Sequence, residues 1–152
     1  MTATRLRALA ERIASAPREA ETALFEEAHA LLTDHAAPED TARWTQLIRC
    51  GAFNETAIAI YHAMFAERGF QFGSLATKPP CGLASSWRMG DGHAAVHRAA
   101  TPALALLRAA ASESAARMEE ETAAKCSVCG GSGWFVTAAN GRRTCRHARQ
   151  AA

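Results

Sequence analysis

Phe53-Asn54-Glu55-Thr56-Ala57-Ile58-Ala59-Ile60-Tyr61-His62-Ala63-Met64-Phe65-Ala66-Glu67-Arg68-Gly69-Phe70-Gln71-Phe72 is the stretch whose reading decides the fold. Up to Phe65 its apolar residues recur with helical spacing; from Phe70 they alternate. Ile58, Ile60, Tyr61, Met64 and Phe65 make the apolar face of a helix. Asn54 reads as its N-cap, with Phe53 and Ile58 placed as a hydrophobic staple. Gly69 reads as its left-handed stop, with Phe70 folding back on Phe65. Beyond it, Phe70, Phe72 and Ser74 fall on one side of a strand, and Gln71 and Gly73 on the other.

The alternation continues downstream. Lys78-Pro79-Pro80-Cys81-Gly82 is a loop. Leu83, Ser85, Trp87 and Met89 alternate with Ala84, Ser86 and Arg88, which predicts a half-buried strand. Gly90-Asp91-Gly92 is a turn, and residues 93–99 give a third strand. Thr101-Pro102 places a capping hydroxyl before a proline at the first helical position. The helix it opens runs to Ala124 and buries Leu104, Leu107, Ala111 and Met118. Two helices flanking a three-stranded antiparallel sheet cover apolar side chains that a bare meander leaves wet. The fold class is therefore α+β.

Upstream, three helices are expected. Residues 4–15 carry Leu6, Leu9, Ala10 and Ile13 on one face. A helix opened by Pro17 carries Leu24, Phe25, Ala28, Leu31 and Leu32. A third opens at Pro38, buries Trp44, Leu47 and Ile48, and stops at Gly51. The organisation reads as a helical segment over 1–52, a helix–sheet–helix body over 53–124 and a tail over 125–152.

The tail carries the chemistry. Cys126-Ser127-Val128-Cys129-Gly130-Gly131-Ser132-Gly133-Trp134 is answered by Cys145-Arg146-His147. Two residues between cysteines let one turn present both sulfurs, and glycines permit the backbone to wrap a metal. Trp134 to Thr137 suits a strand, Asn140-Gly141 is a hairpin turn, and Arg142-Arg143-Thr144 returns the chain to Cys145. The expected ligands are Cys126, Cys129, Cys145 and His147 around one Zn2+. A three-ligand site completed by water or by a histidine from elsewhere is the alternative. A redox CxxC would open a helix in a βαβ setting, and this one opens a glycine-rich turn.

These residues resemble the CxxCxGxG zinc modules of J-domain chaperones through Cys126, Cys129, Gly131 and Gly133. Such modules return as CxxC; here Ala148 takes the last cysteine's place. The middle region resembles the phage ABA-sandwich proteins. The likeness lies in Gly51-Ala52-Phe53, in Arg68-Gly69-Phe70-Gln71-Phe72, in the strand around Trp87, and in Ala100-Thr101-Pro102-Ala103-Leu104-Ala105-Leu106-Leu107. That resemblance implies an α/β/α layered body and phage or prophage origin, and it carries over no functional residues.

The chain has 152 residues, 49% hydrophobic but only 7% aromatic, so a small core with much alanine is expected. Net charge is +2, unevenly spread: residues 1–125 sum to −2, and the last 27 carry four arginines and no acid. Five cysteines and no apolar leader point to a reducing, cytoplasmic setting, and no apolar run is long enough for a membrane span. Arg142, Arg143 and Arg146 with Trp134 offer phosphate contacts and a stacking platform for nucleic acid. The expectation is a non-enzymatic accessory protein that binds nucleic acid or a nucleic-acid-handling complex. The alternative is a protein–protein module that modulates a host complex. His93 and His97, four apart on a strand, lie too far apart for one ion and read as solvent-facing. Cys50 reads as buried, Cys81 as exposed, and Glu119-Glu120-Glu121 as a solvated face.

Overall fold

The computed structural model describes residues 3–88, 90, 94–126, 128–130, 132, 134–136 and 142–145. The chain folds as α1 (Ala3–Ser15), α2 (Glu21–Leu32), α3 (Pro38–Arg49), α4 (Phe53–Met64), β1 (Arg68–Leu75), β2 (Cys81–Arg88), β3 (Ala95–Ala99), α5 (Pro102–Ala124), β4 (Trp134–Val136) and β5 (Arg142–Thr144). Short 3-10 turns, Arg18–Ala20 and Thr33–His35, precede and follow α2. The strands β1, β2 and β3 form an antiparallel meander in that order, and β4 pairs antiparallel with β5. The expected α+β class and strand order are both present.

The helix α5 is the hub. Leu104, Leu106, Leu107, Ala105, Ala109, Ala110, Ala111 and Ala115 are all fully buried. They point around the whole circumference of the helix, as in any helix enclosed by its own protein. Alanine is the reason this is possible: short side chains let α1, α4 and the sheet approach α5 together. Its start follows from sequence alone, because the Thr101 hydroxyl accepts the Leu104 amide at 3.1 Å and Pro102 occupies the first turn. The core is continuous from Leu6 to Ala115 and draws on α1 to α5, β2 and β3. The three N-terminal helices therefore share one hydrophobic interior with the helix–sheet–helix body.

Gly51 ends α3 as expected. It sits at φ +69°, donates to the Ile48 carbonyl at 3.0 Å, and Ala52 donates to Leu47 at 3.0 Å, which is a complete Schellman pair. That closure moves the next helix. Ala52, the last residue of the motif, is already the N-cap of α4, so Asn54 falls inside the first turn and caps nothing. Phe53 stacks on Phe25 of α2, ring centroids 5.1 Å apart, instead of stapling to Ile58. Gly69 is likewise not a helix stop. The helix α4 ends at Met64, Phe65 leaves the helical region, and Gly69 lies in β1 beneath Trp87. A Cβ on Gly69 would stand 2.5 Å from the indole. Phe70 packs on Tyr61 at 4.9 Å.

The sheet turns the face with the smaller side chains of β2 inward. Gly82, Ala84 and Ser86 are buried, whereas Leu83 and Trp87 are half-buried on the other side. Register places Phe70 opposite Ser86, and Phe72 and His97 opposite Ala84. The physical reason is the closeness of α5. A Cβ on Gly82 would lie 2.0 Å from the Thr101 carbonyl oxygen, so the inward positions of β2 must be small. Inward-facing Phe70 touches α4 and inward-facing Ser86 touches α5, so both helices reach the same face of the sheet.

Three glutamates expected to be solvated are each paired. Glu119 binds Arg7 of α1, Glu120 lies 3.9 Å from Arg88 of β2, and Glu121 lies 3.3 Å from Arg117. Such exposed pairs each contribute about 0–1 kcal/mol. Among the described residues, no helix is long and apolar enough to cross a membrane.

Candidate metal centre

The last turn of α5 delivers the first ligand. Lys125 is its C-cap, and the Cys126 amide still donates to Ala123 at 3.0 Å. The chain then turns back on itself. Gly130 donates to the Cys126 carbonyl at 2.9 Å, and Ser132 to the Cys129 carbonyl at 3.0 Å. Gly130 holds φ +55°, a conformation that costs glycine nothing. The Ser132 hydroxyl donates to the carbonyls of Cys129 and Trp134, at 2.7 and 2.8 Å, fixing the exit into β4. Strand β5 pairs Arg143 with Phe135 and Thr144 with Trp134, so Cys145 emerges beside the knuckle.

Cys126, Cys129 and Cys145 come together: their sulfurs all lie within 4.8 Å of one another. The Cys126 and Cys145 sulfurs are 3.6 Å apart. Four ligands at tetrahedral angles with bonds of ~2.3 Å would hold sulfurs ~3.8 Å apart. The donor set therefore fits a tetrahedral metal with little movement. It also fits chemically, since sulfur donors select zinc, copper(I) or iron–sulfur species over the hard cations. The backbone amides of Cys129 and Val128 donate to the Cys126 sulfur and pull its pKa down to about 6. Cys145, buried and facing two other sulfurs, is pushed up by desolvation first and by those neighbours second. A cation at the centre of the three would resolve that opposition by making every sulfur a thiolate.

The fourth expected ligand, His147, lies outside the described residues, as do Arg146, Gly131, Gly133 and the Asn140-Gly141 turn. Arg143 is exposed, Trp134 is 39% exposed, and the side chain of Arg142 is outside the described set. The other two cysteines stand apart from the cluster. Cys50 is exposed at the end of α3, not buried, because the Schellman closure turns it to solvent; Cys81 is half-buried at the start of β2.

A second polar cluster has no precedent in the sequence reading. Glu113, only 8% exposed, lies on the sheet side of α5. It accepts hydrogen bonds from the Tyr61 hydroxyl at 2.8 Å and from the Ser86 hydroxyl, and pairs with Arg68 at 2.9 Å. Burial raises the Tyr61 pKa, so its hydroxyl stays protonated and donating. His97 faces the same interior instead of solvent, and its Nε2 is buried without a partner among the described residues. Desolvation lowers its pKa, Glu113 opposes the shift and Arg108 reinforces it. His93 lies outside the described residues. The signal was available: Arg68 precedes Phe70 and Phe72 on one strand face, and Glu113 is the one acid between Pro102 and Met118.

Protein-family models, curated proteins and solved structures were compared with the chain, and none of them matches it.

Proposed function

We propose that this chain is a non-enzymatic, phage- or prophage-type accessory protein whose C-terminal hairpin is held by one structural zinc ion and presented to nucleic acid or to a nucleic-acid-handling complex. The observation that carries the reading is the convergence of Cys126, Cys129 and Cys145 within 4.8 Å. His147 is the proposed fourth ligand. A hairpin of three-residue strands has too little apolar surface to fold alone, and metal-binding energy would supply what it lacks. A redox role is disfavoured by context: the CxxC follows the C-terminal end of α5 and leads into a short hairpin, whereas a redox CxxC opens a helix in a βαβ setting.

Exposed Arg143 and partly exposed Trp134 supply the two components of non-specific nucleic-acid binding, a cation and a stacking ring. With Arg142, Arg143 and Arg146 engaged, log affinity should fall with log salt at a slope of about −2 to −3. Native mass spectrometry with zinc analysis, alongside salt-dependent retention of single-stranded DNA and RNA, tests both halves. One zinc per chain, weakened by His147→Ala, supports the centre. Retention unaffected by changing the three arginines to alanine would reject the nucleic-acid half.

A second reading, a module that binds a host protein, has its own support. The sheet face opposite α5 carries Val96, 58% exposed, with half-buried Leu83 and Trp87. Pull-down of a discrete partner, lost on Val96→Asp, would favour that reading.

A further inference from the structure

The two edges of the β1–β2–β3 sheet are finished differently. At one edge stands β3, five residues long. Helix α1 packs against it, Arg98 is exposed on it, and the Arg98 carbonyl accepts from the Arg108 guanidinium at 3.0 Å. Short length, a cation and a covering element are the usual protections of an edge strand. At the other edge stands β1, eight residues long and paired with β2 along its whole length without a bulge. Every second residue of such a strand turns its amide and carbonyl away from the neighbour it is paired with. From Gly69 to Leu75, no described residue outside β2 bonds the β1 backbone. That run carries no charge and no proline. Its inner face is also incompletely covered. Phe70 rests on Tyr61 and His62 of α4, with ring centroids at 4.9 and 5.1 Å, yet Phe70 and Phe72 both stay half-buried. Gln71, Gly73 and Ser74 are exposed.

We propose that β1 pairs with β1 of a second copy of this chain, antiparallel about a two-fold axis through Gln71, so that two three-stranded sheets become one of six strands. A two-fold contact needs a surface complementary to itself, and β1 is one. With Gln71 on the axis, Phe70 stands opposite the partner's Phe72, Gly69 opposite the partner's Gly73, and Arg68 opposite the partner's Ser74. Directly opposed residues share a face. The half-buried phenylalanines of both copies therefore meet on the inner side, and the two Gln71 amides meet on the outer side between glycines. No like charges face each other, and Arg68 already pairs with Glu113 of its own chain at 2.9 Å. Moving the axis to Phe70 or Phe72 keeps every side chain on its face but leaves a phenylalanine of each copy against Arg68 or Ser74. A strand from another protein would also fill the backbone groups, whereas β1 itself supplies the matching order of phenylalanines and glycines. Edge pairing buries a modest area, so the affinity is micromolar rather than nanomolar. The inference goes beyond the proposed function and does not depend on it.

Sedimentation equilibrium of the full-length protein, from low to several hundred micromolar, should give a mass rising with concentration from 16.2 kDa towards twice that value. Gln71→Lys and Gln71→Glu each place like charges on the axis and should weaken association about tenfold or more. Gln71 is exposed, so the urea midpoint of either variant as a monomer should stay where it was. An equimolar mixture of the two variants should recover association, because opposite charges then meet on the axis. Val96→Asp, on the open face of the sheet, and chelation of metal should both leave the dimer intact. A monomer at every concentration would overturn the proposal and leave the edge to a strand of another protein. Association untouched by Gln71→Lys, or weakened by Val96→Asp, would overturn it by assigning the contact to another surface. Loss of the dimer on chelation would assign it to the cysteine centre, and failure of the mixture to recover would reject the axis through Gln71.

Discussion

Replacing Glu113 with alanine removes the acceptor shared by Arg68, Tyr61 and Ser86 in the interior between α4, α5 and the sheet. The side chains of Glu113 and Arg68 are 8% and 18% exposed, so solvent screens the pair weakly. After the substitution Arg68 keeps a largely buried positive charge, and two buried hydroxyls lose their acceptor. Breaking one partner of such a pair costs about 3–5 kcal/mol, a large share of the ~5–15 kcal/mol that holds a domain folded. With a urea slope of about 2 kcal/mol/M, the midpoint should fall by about 1.5–2.5 M. Fully buried Trp44 gives the fluorescence readout. Glu113→Gln keeps an acceptor but not the charge and should lose less, about 1–3 kcal/mol. Arg68→Met combined with Glu113→Leu should recover much of the alanine loss, because no uncompensated charge remains. A loss below about 1 kcal/mol in Glu113→Ala, or a double variant no better than the single one, would refute the account of this cluster as a mutually satisfied unit.

Gly82→Ala should destabilise by at least about 3 kcal/mol, the upper range for overpacking, because its Cβ meets the Thr101 backbone at 2.0 Å. Gly73→Ala, with open space around it, should stay within about 0.5 kcal/mol; equal effects in urea unfolding would contradict the packing of β2 on α5. His97 should make stability pH-dependent. Its folded pKa lies below the ordinary 6.5, so the unfolded chain binds more protons in the window between the two. Stability is then full above about pH 6.5 and declines as pH falls through that window. Urea midpoints from pH 8 to 5 should lose part of this slope in His97→Gln, and an unchanged slope would assign it to other groups. Stripping metal with a strong chelator should remove one zinc per chain and change the body's unfolding free energy by no more than about 0.5 kcal/mol, since the buried core ends at Ala115. Co-operative loss of Trp44 burial on chelation would tie the centre to the body instead.

Legibility in the sequence followed how local each signal is. Thr101-Pro102 and Gly51 were readable because a cap hydroxyl and a left-handed glycine act over four or five residues, and both stand where expected. Asn54 and Gly69 carried equally good local signals and lost to tertiary contacts. Phe53 found Phe25, and the Trp87 ring needed the bare surface of Gly69. Which face of β2 turns inward was not legible, because the approach of α5 is set by the alanines of a helix about twenty residues away in sequence. His97 went astray for the same reason: exposure depends on what packs opposite, and single-strand periodicity does not contain it.

By itself the sequence determined the α+β class, the order of helices and strands, the start and end of α5, and the three cysteines that approach one point. These depend on backbone propensities, caps, turns and ligand spacings, which the chain carries locally. Only the tertiary structure decided which sheet face is buried, that the N-terminal helices share the core, and that Glu113 draws Arg68, Tyr61 and Ser86 into one network. Those outcomes depend on contacts between residues 27 to 52 positions apart and more. Only closure of the whole core fixes the distances across which close packing and charge pairing act.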